Sequence, residues 1–412
     1  MIKQTLLENG IQVVTEEMPG CRSVSIGILV DTGPLDEGEL NAGLAHLVEH
    51  SLFLGTSSRT SGEIARMIDT MGGRIAAFTG RDYTCFTCVV MDDHRTYVLD
   101  LLSDLLLNSV FPEEQLEHEK SVILNESYLA KDNPHERADS LLRATMWPDH
   151  PLGRAIEGDS DSVTTLTRED VIYFLHAHYL PDRITIGVAG NLEHQDIVAQ
   201  VRDCFWRLGG ESTDYRRPSP PTFYSGFVSE PSSASQAYFS VGIKAPVYNF
   251  SNRYHIHLLN TILGGGLSSR LFRSLRNERG LVYDIHSEYL AYRDAGSIVI
   301  SGNARPEMVF DIVDEVMSIV QKLTDGSEPC LEEELWQAKM YNIGQHHIDS
   351  EDPFTRMSRL LTQLYYFNQI ISTEAVIRGI EEVTSESLAT LCDELYMVEE
   401  NLIAGAVVGG TG

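Results

Sequence analysis

Apolar and polar positions alternate along several short runs of this chain and repeat at helical spacing along others. Residues 2–16 predict two strands about Glu8-Asn9-Gly10, because an Asn-Gly pair readily takes the positive φ of a tight hairpin turn. Residues 24–31 predict a third strand, stopped by Gly33-Pro34. Residues 61–71 read as an amphipathic helix with Ser61 as its N-cap and Gly72-Gly73 as its stop. Strands over 74–79 and 83–90 flank Gly80-Arg81-Asp82. Helices follow at 93–107, 112–131 and 134–147, then at 167–179 after a loop bearing Pro and Gly. A strand at 183–189 and a helix at 194–206 close this part.

Residues 209–222, with Gly209-Gly at one end and Pro218-Ser-Pro-Pro221 near the other, lack periodicity and read as a linker. Beyond it the order recurs. A strand at 236–243 leads to a helix at 252–263, the stretch Gly264-Gly-Gly266 and a helix at 268–277. Strands at 285–292 and 297–303 follow, then helices to the end. The expected fold is a duplicated α+β arrangement: domains 1–208 and 223–412, each a mostly antiparallel sheet with helices packed on it.

One stretch carries chemistry: Asn41-Ala-Gly-Leu-Ala-His46-Leu-Val-Glu49-His50-Ser-Leu-Phe-Leu-Gly55. It has no internal proline and ends on glycine, so it predicts a short helix. His46 and His50 are four apart and Glu49 lies three from His46, so all three leave one face. Two imidazoles so spaced can grip a zinc ion, and a carboxylate beside them can take a proton from water. The five-residue pattern can also arise by chance, and a zinc site needs a third protein ligand. Helix 112–131 offers Glu119 and Glu126, seven apart and within roughly 20° of one face, with Ile123 close by. In the second copy the corresponding region, His255-Ile-His257, lacks the pattern, so no second metal site is expected there.

Composition narrows the function. The 412 residues are 42% hydrophobic and 22% charged, ordinary for a globular protein with room for two cores. A formal net charge of −29 excludes a nucleic-acid binder and favours cationic ligands. No run approaches the roughly 18 apolar residues of a membrane span, so no membrane partner is expected. Met1-Ile-Lys-Gln-Thr-Leu has no apolar signal core, which makes a cytoplasmic location the expectation. Cys85-Phe-Thr-Cys88 lies in a strand-like run, where its two thiols face opposite ways, and reads as reduced structural cysteine.

His46-Leu-Val-Glu49-His50, followed 76 residues later by Glu126, resembles the inverted zincin motif of the pitrilysin and mitochondrial-processing-peptidase family. Gly72-Gly73, Trp147-Pro-Asp-His-Pro-Leu-Gly153, His178-Tyr-Leu-Pro181 and Val188-Ala-Gly-Asn191 support the likeness in the first half. Gly264-Gly-Gly-Leu-Ser-Ser-Arg-Leu271 and Arg276-Asn-Glu-Arg-Gly-Leu-Val-Tyr283 support it in the second, so it covers nearly the whole chain. The resemblance implies one zinc per chain held by His46, His50 and Glu126, with Glu49 as general base and Glu119 orienting the site. It also implies that Arg276 and Tyr283 hold and polarise substrate carbonyls; by themselves they would read as a surface ion pair and a packed aromatic. Substrate would pair with the strand bearing Ala76, Ala77 and Phe78, where the family's usual asparagine is replaced by Ala76. The implied activity is hydrolysis of unfolded peptides in a chamber completed by a second chain, as a homodimer or with a homologous subunit, and the chain's strong acidity favours basic peptides among them. The alternative from another class is a non-catalytic partner subunit of the same fold.

Overall fold

The computed structural model describes residues 1–38, 41–210, 217–396 and 403–409. Part of the expected linker, residues 211–216, lies outside the described residues. The chain forms two compact α+β units, each built on one sheet. The first comprises Met1–Ser127, Ala155–Pro218 and Ile348–Ile370; the second comprises Tyr128–Arg154, Ser219–His347 and Ile371–Gly412.

The first sheet holds β1 (Ile2–Leu6), β2 (Gln12–Glu17), β3 (Ser23–Val30), β4 (Arg74–Thr79), β5 (Thr84–Met91) and β6 (Ile184–Gly190). Their order is β1-β2-β6-β3-β5-β4, with only the β2–β6 pair parallel. The central strands β3 and β6 are buried along their lengths, as a near-continuous apolar run requires. β4 lies at the edge, hydrogen-bonded to β5 alone.

Five helices matter to the site and its surroundings: α1 (Leu44–Ser51), α2 (Ser61–Met71), α3 (Arg95–Asn108), α4 (Glu113–Asp132) and α5 (Pro134–Met146). Leu44, Leu47 and Val48 of α1 and Leu99 and Leu102 of α3 join Val24, Ile26 and Ile28 of β3 in the main core. The N-cap of α2 is Thr60, one residue earlier than expected, in a reciprocal capping box with Glu63.

The second sheet runs β7 (Gly226–Glu230), β11 (Ile403–Val408), β8 (Ala237–Lys244), β10 (Gly296–Ala304), β9 (Val282–Ala291). Here the structure departs from expectation twice. The chain's end returns as β11, between β7 and β8, where helices were expected to continue, and β7 itself was not foreseen. Ile403-Ala-Gly-Ala-Val-Val408 is short and almost wholly buried, and such a run carries no alternation to mark it as a strand. The expected helix 268–277 is a π-helical segment, Phe272–Glu278.

The two units do not follow the division at 208 and 223. Helix Pro353–Phe367 belongs to the first unit, where Met357 and Leu361 lie on the sheet over Gly27 and Gly187. A Cβ on Gly187 would meet Leu361 Cγ at 2.8 Å, so the glycines allow the helix to approach. α5 serves the second unit in the same way: a Cβ on Gly242 would meet Met146 Sδ at 2.5 Å. Among the described residues no helix is long and apolar enough to cross a membrane.

Candidate metal centre

The α1 helix divides cleanly by face. Leu44, Ala45, Leu47, Val48 and Ser51 pack inward, while His46 and His50, half-buried, and Glu49, buried, share the remaining arc. Its N-terminus is tied from a distance. The Glu37 carboxylate accepts from the N–H of Gly43 at 3.1 Å and of Ala45 at 2.7 Å, satisfying two of the first turn's donors. Gly43 has φ of 91°, and a Cβ there would sit 2.6 Å from the Glu157 carbonyl oxygen, so only glycine fits.

α4 brings the other carboxylates. Its buried stripe is Leu116, Lys120, Ile123 and Ser127, with Glu119 and Glu126 beside that stripe and Glu126 exposed. The expectation that the pair shares the stripe of Ile123 is thus adjusted by part of a turn, while the two still share a face. Glu126 Oε2 lies 4.0 Å from His46 Nε2 and 3.7 Å from His50 Nε2. One donor atom from each of the three lies within 4.8 Å of the others, and it is the one such cluster among the described residues. Tetrahedral zinc needs donors roughly 3.3 Å apart, so these two pairs would close by about 0.7 and 0.4 Å around the ion.

Hydrogen bonding sets the donor atoms. His50 Nδ1 is 3.2 Å from Glu119 Oε2, and a carboxylate can only accept there, so the proton sits on Nδ1. His50 Nε2 then presents a lone pair toward the Glu126 carboxylate, and two acceptors 3.7 Å apart repel unless a cation lies between them. That juxtaposition, with two nitrogens and one carboxylate, fits zinc and leaves a coordination position open. Burial above all, with the charge of His50 adding to it, pushes the His46 pKa down to about 4, so its imidazole is the neutral, ligating form at pH 7.

Glu49 is 8% exposed and accepts from the Thr79 hydroxyl at 3.1 Å. Burial raises its pKa most strongly and the Glu126 charge adds to this, while His50 and Thr79 oppose it. A carboxyl so placed has enhanced basicity for taking a proton. Neither Thr79 nor Glu37 was singled out from the sequence. Thr79 ends the strand that also carries Ala76, Ala77 and Phe78, of which Ala76 and Phe78 are exposed on the sheet edge.

Arg276 and Tyr283 belong to the second unit, whereas the histidines, Glu49, Glu119 and Glu126 belong to the first. The Arg276 guanidinium lies 4.7 Å from the Phe272 ring centre and 5.2 Å from that of Tyr283, which is 75% exposed. Neither residue takes its plain structural role: Arg276 forms no ion pair among the described residues and Tyr283 is not packed away. Cys85 and Cys88 enter different apolar clusters, and burial pushes both thiols up to about 12. In the second unit His255 meets Ser387 at 3.0 Å and His257 packs edge-on against Tyr289 at 5.3 Å, both structural contacts.

A two-unit α+β chain whose His-x-x-Glu-His helix meets a third carboxylate can be set beside known proteins. Residues 12–160 match the family model described as insulinase (peptidase family M16), and residues 165–339 match the peptidase M16 inactive domain. The chain is 33% identical over 399 residues to an uncharacterized zinc protease of Mycobacterium leprae, covering 95% of this chain and 88% of that one. It is 30% identical over 399 residues to one of Bacillus subtilis, covering 96% of each. The fold also matches a peptidase M16 inactive domain from Pseudomonas fluorescens (TM-score 0.90, 20% identity, 100% and 98% coverage). It matches a protease from Helicobacter pylori equally well (TM-score 0.91, 18% identity, 99% of each chain). The chain belongs to peptidase family M16, and its relatives are named zinc proteases.

Proposed function

We propose that this chain is a zinc-dependent endopeptidase acting on unfolded peptides, working in the cytoplasm as half of a two-chain chamber. The observation that supports it is the convergence of His46 Nε2, His50 Nε2 and Glu126 Oε2 beside the buried carboxylate of Glu49. His46, His50 and Glu126 would hold one zinc, with Glu119 keeping the His50 ring in its ligating tautomer. Zinc, when bound, makes water more acidic and draws electron density from a carbonyl oxygen.

The remaining work falls to the chain itself. Glu49 accepts the proton of the attacking water and delivers it to the departing amine, its burial matching it to that exchange. Thr79 holds the Glu49 carboxylate in one orientation. The substrate lies extended along β4, using main-chain hydrogen bonds that the replacement of asparagine by Ala76 leaves intact. Arg276 and Tyr283 bind substrate carbonyls, and the Tyr283 phenol donates to the oxygen on which charge develops. In the two-chain assembly they serve the metal centre of the partner chain.

Glu49→Gln tests the assignment. The variant should keep about one zinc per chain while turnover of a quenched peptide falls by roughly 10²–10⁴. His50→Ala should lose both zinc and turnover. If Glu49→Gln loses zinc while its remaining loaded fraction turns over normally, Glu49 is a ligand and not the base. A non-catalytic subunit would cleave nothing and would usually have lost a ligand or the base; the presence of all three donors together with Glu49 speaks against it.

A further inference from the structure

The Asp36 side chain is fully buried, and a buried carboxylate needs cations or donors around it. Arg217, next to last in the stretch Ala155–Pro218 of the first unit, supplies one. Its Nη2 lies 2.6 Å from Asp31 Oδ1, 3.2 Å from Asp36 Oδ2 and 3.1 Å from the Asp82 carbonyl oxygen. Its Nη1 donates to the Tyr365 hydroxyl at 3.1 Å, and that hydroxyl donates in turn to the same Asp82 carbonyl at 2.9 Å. Arg183 Nη1 adds a second cation, 3.5 Å from Asp36 Oδ1. Arg217 therefore joins three segments: the end of β3, the turn Pro34–Asp36 and the turn between β4 and β5.

Two of those segments lead directly to the supports of the metal centre. Glu37, the residue after Asp36, holds the first turn of α1 through Gly43 and Ala45, and α1 carries His46 and His50. Thr79 stands three residues before Asp82 and holds the Glu49 carboxylate. Between them the turn is closed by the Gly80 N–H, which donates to the Tyr83 carbonyl at 2.8 Å. We propose that Arg217 is a positioning residue for the metal centre, setting α1 through Asp36 and Glu37 and setting Glu49 through Asp82 and Thr79. The proposal rests on the peptidase reading above and adds one residue to it. Charge balance for Asp36 would also account for a cation here, and that role predicts lost stability alone. The contacts with Asp82 and Tyr365 go beyond it, because a carbonyl and a hydroxyl carry no charge to offset. Serving all three segments at once takes the planar fork of a guanidinium.

The test compares Arg217→Gln, Arg217→Lys and Tyr365→Phe with Arg356→Gln, which breaks the largely buried Arg356–Glu16 pair elsewhere in the same unit. Each variant is measured for Tm, for zinc affinity by competition against a chelator, and for kcat and KM on a quenched peptide. Arg217→Gln should weaken zinc binding and lower kcat, each by about 10-fold, with KM within about 2-fold of wild type. Arg217→Lys should restore most of the zinc affinity, since Asp36 again faces a cation. Its kcat should stay low, because a point charge does not also span to Asp82 and Tyr365. Tyr365→Phe removes only a hydroxyl and should lower kcat about 3-fold with zinc affinity unmoved. Arg356→Gln should lower Tm and leave zinc affinity and kcat alone. If Arg217→Gln behaves as Arg356→Gln does, losing Tm and nothing else, Arg217 is structural and the proposal falls. Should Arg217→Gln fail to fold, Tyr365→Phe decides, and a wild-type kcat there overturns the proposal. Zinc-loaded wild type that cleaves no peptide overturns the peptidase reading instead. The zinc affinity of Arg217→Gln then decides by itself: weakened, it supports the positioning of α1, and unchanged, it ends it.

Discussion

At the scale of single residues, this chain keeps several histidines neutral by burial, and that choice has a pH signature. His178 sits in the first unit, well apart in sequence from the metal ligands, buried, with its pKa held below the usual imidazole value chiefly by burial and further by Arg183 and Arg217, while Asp36 opposes them. An imidazole whose pKa is lower in the folded chain than in the unfolded one favours unfolding wherever the unfolded form holds the extra proton. Stability from this residue is therefore full above about pH 6.5 and is lost as pH falls below it. Thermal unfolding of metal-stripped protein should show Tm falling across that window. His178→Leu should flatten the fall; an unchanged slope would remove His178 as its source. The residues of the metal centre were legible at this scale because helical spacing is local: His46, Glu49 and His50 share a face whatever surrounds them. Thr79 and Glu37 were not, because their contacts depend on where β4 and the loop before α1 lie in space.

At the scale of elements, the anchoring of α1 matters most. The eight-residue helix is too short to persist by itself, and its first turn is satisfied by Glu37 instead of a neighbouring cap. Glu37→Ala should cost about 1 kcal/mol, lowering Tm by roughly 2–4 °C, and should weaken zinc retention by letting His46 drift. Calorimetry and competition against a chelator measure the two effects separately. A lowered Tm with unaltered zinc affinity would make Glu37 a stability device only. Most strands and helices of the first unit fall within a few residues of their expected bounds, since each carries its own period and its own stop. β7 and β11 escaped because a buried five- or six-residue run has no period to read, and each finds its pairing partner far away in sequence.

At the scale of the whole molecule, the question is which chain completes the site. The proposed chamber needs a second chain, since each chain supplies two units. Under the proposal, Arg276 and Tyr283 act on the metal centre of a partner. Glu49→Gln and Arg276→Ala should then each be nearly inactive alone. After subunit exchange, about half of the dimers are mixed and each has one whole site, so about a quarter of wild-type activity should return. Verified exchange with no recovery would mean that Arg276 acts within its own chain or that the natural partner is a different subunit. The exchange of helices between units could not be foreseen at this scale. Gly27, Gly187 and Gly242 look like weak points of strands until Met357, Leu361 and Met146 are seen lying over them.

The sequence alone determined the chemistry of this protein: a His-x-x-Glu-His helix, a carboxylate helix to complete it, a duplicated α+β plan and a strongly acidic surface. These follow from spacing, period and composition, which act over a turn of helix or a pair of strands. Tertiary structure decided the rest. It put Glu126 Oε2 3.7 Å from His50, buried Glu49 against Thr79, returned residues 403–408 to the second sheet and brought Arg217 to Asp36 and Asp82. Each of those depends on segments tens to hundreds of residues apart, and only the closing of the two cores brings them together.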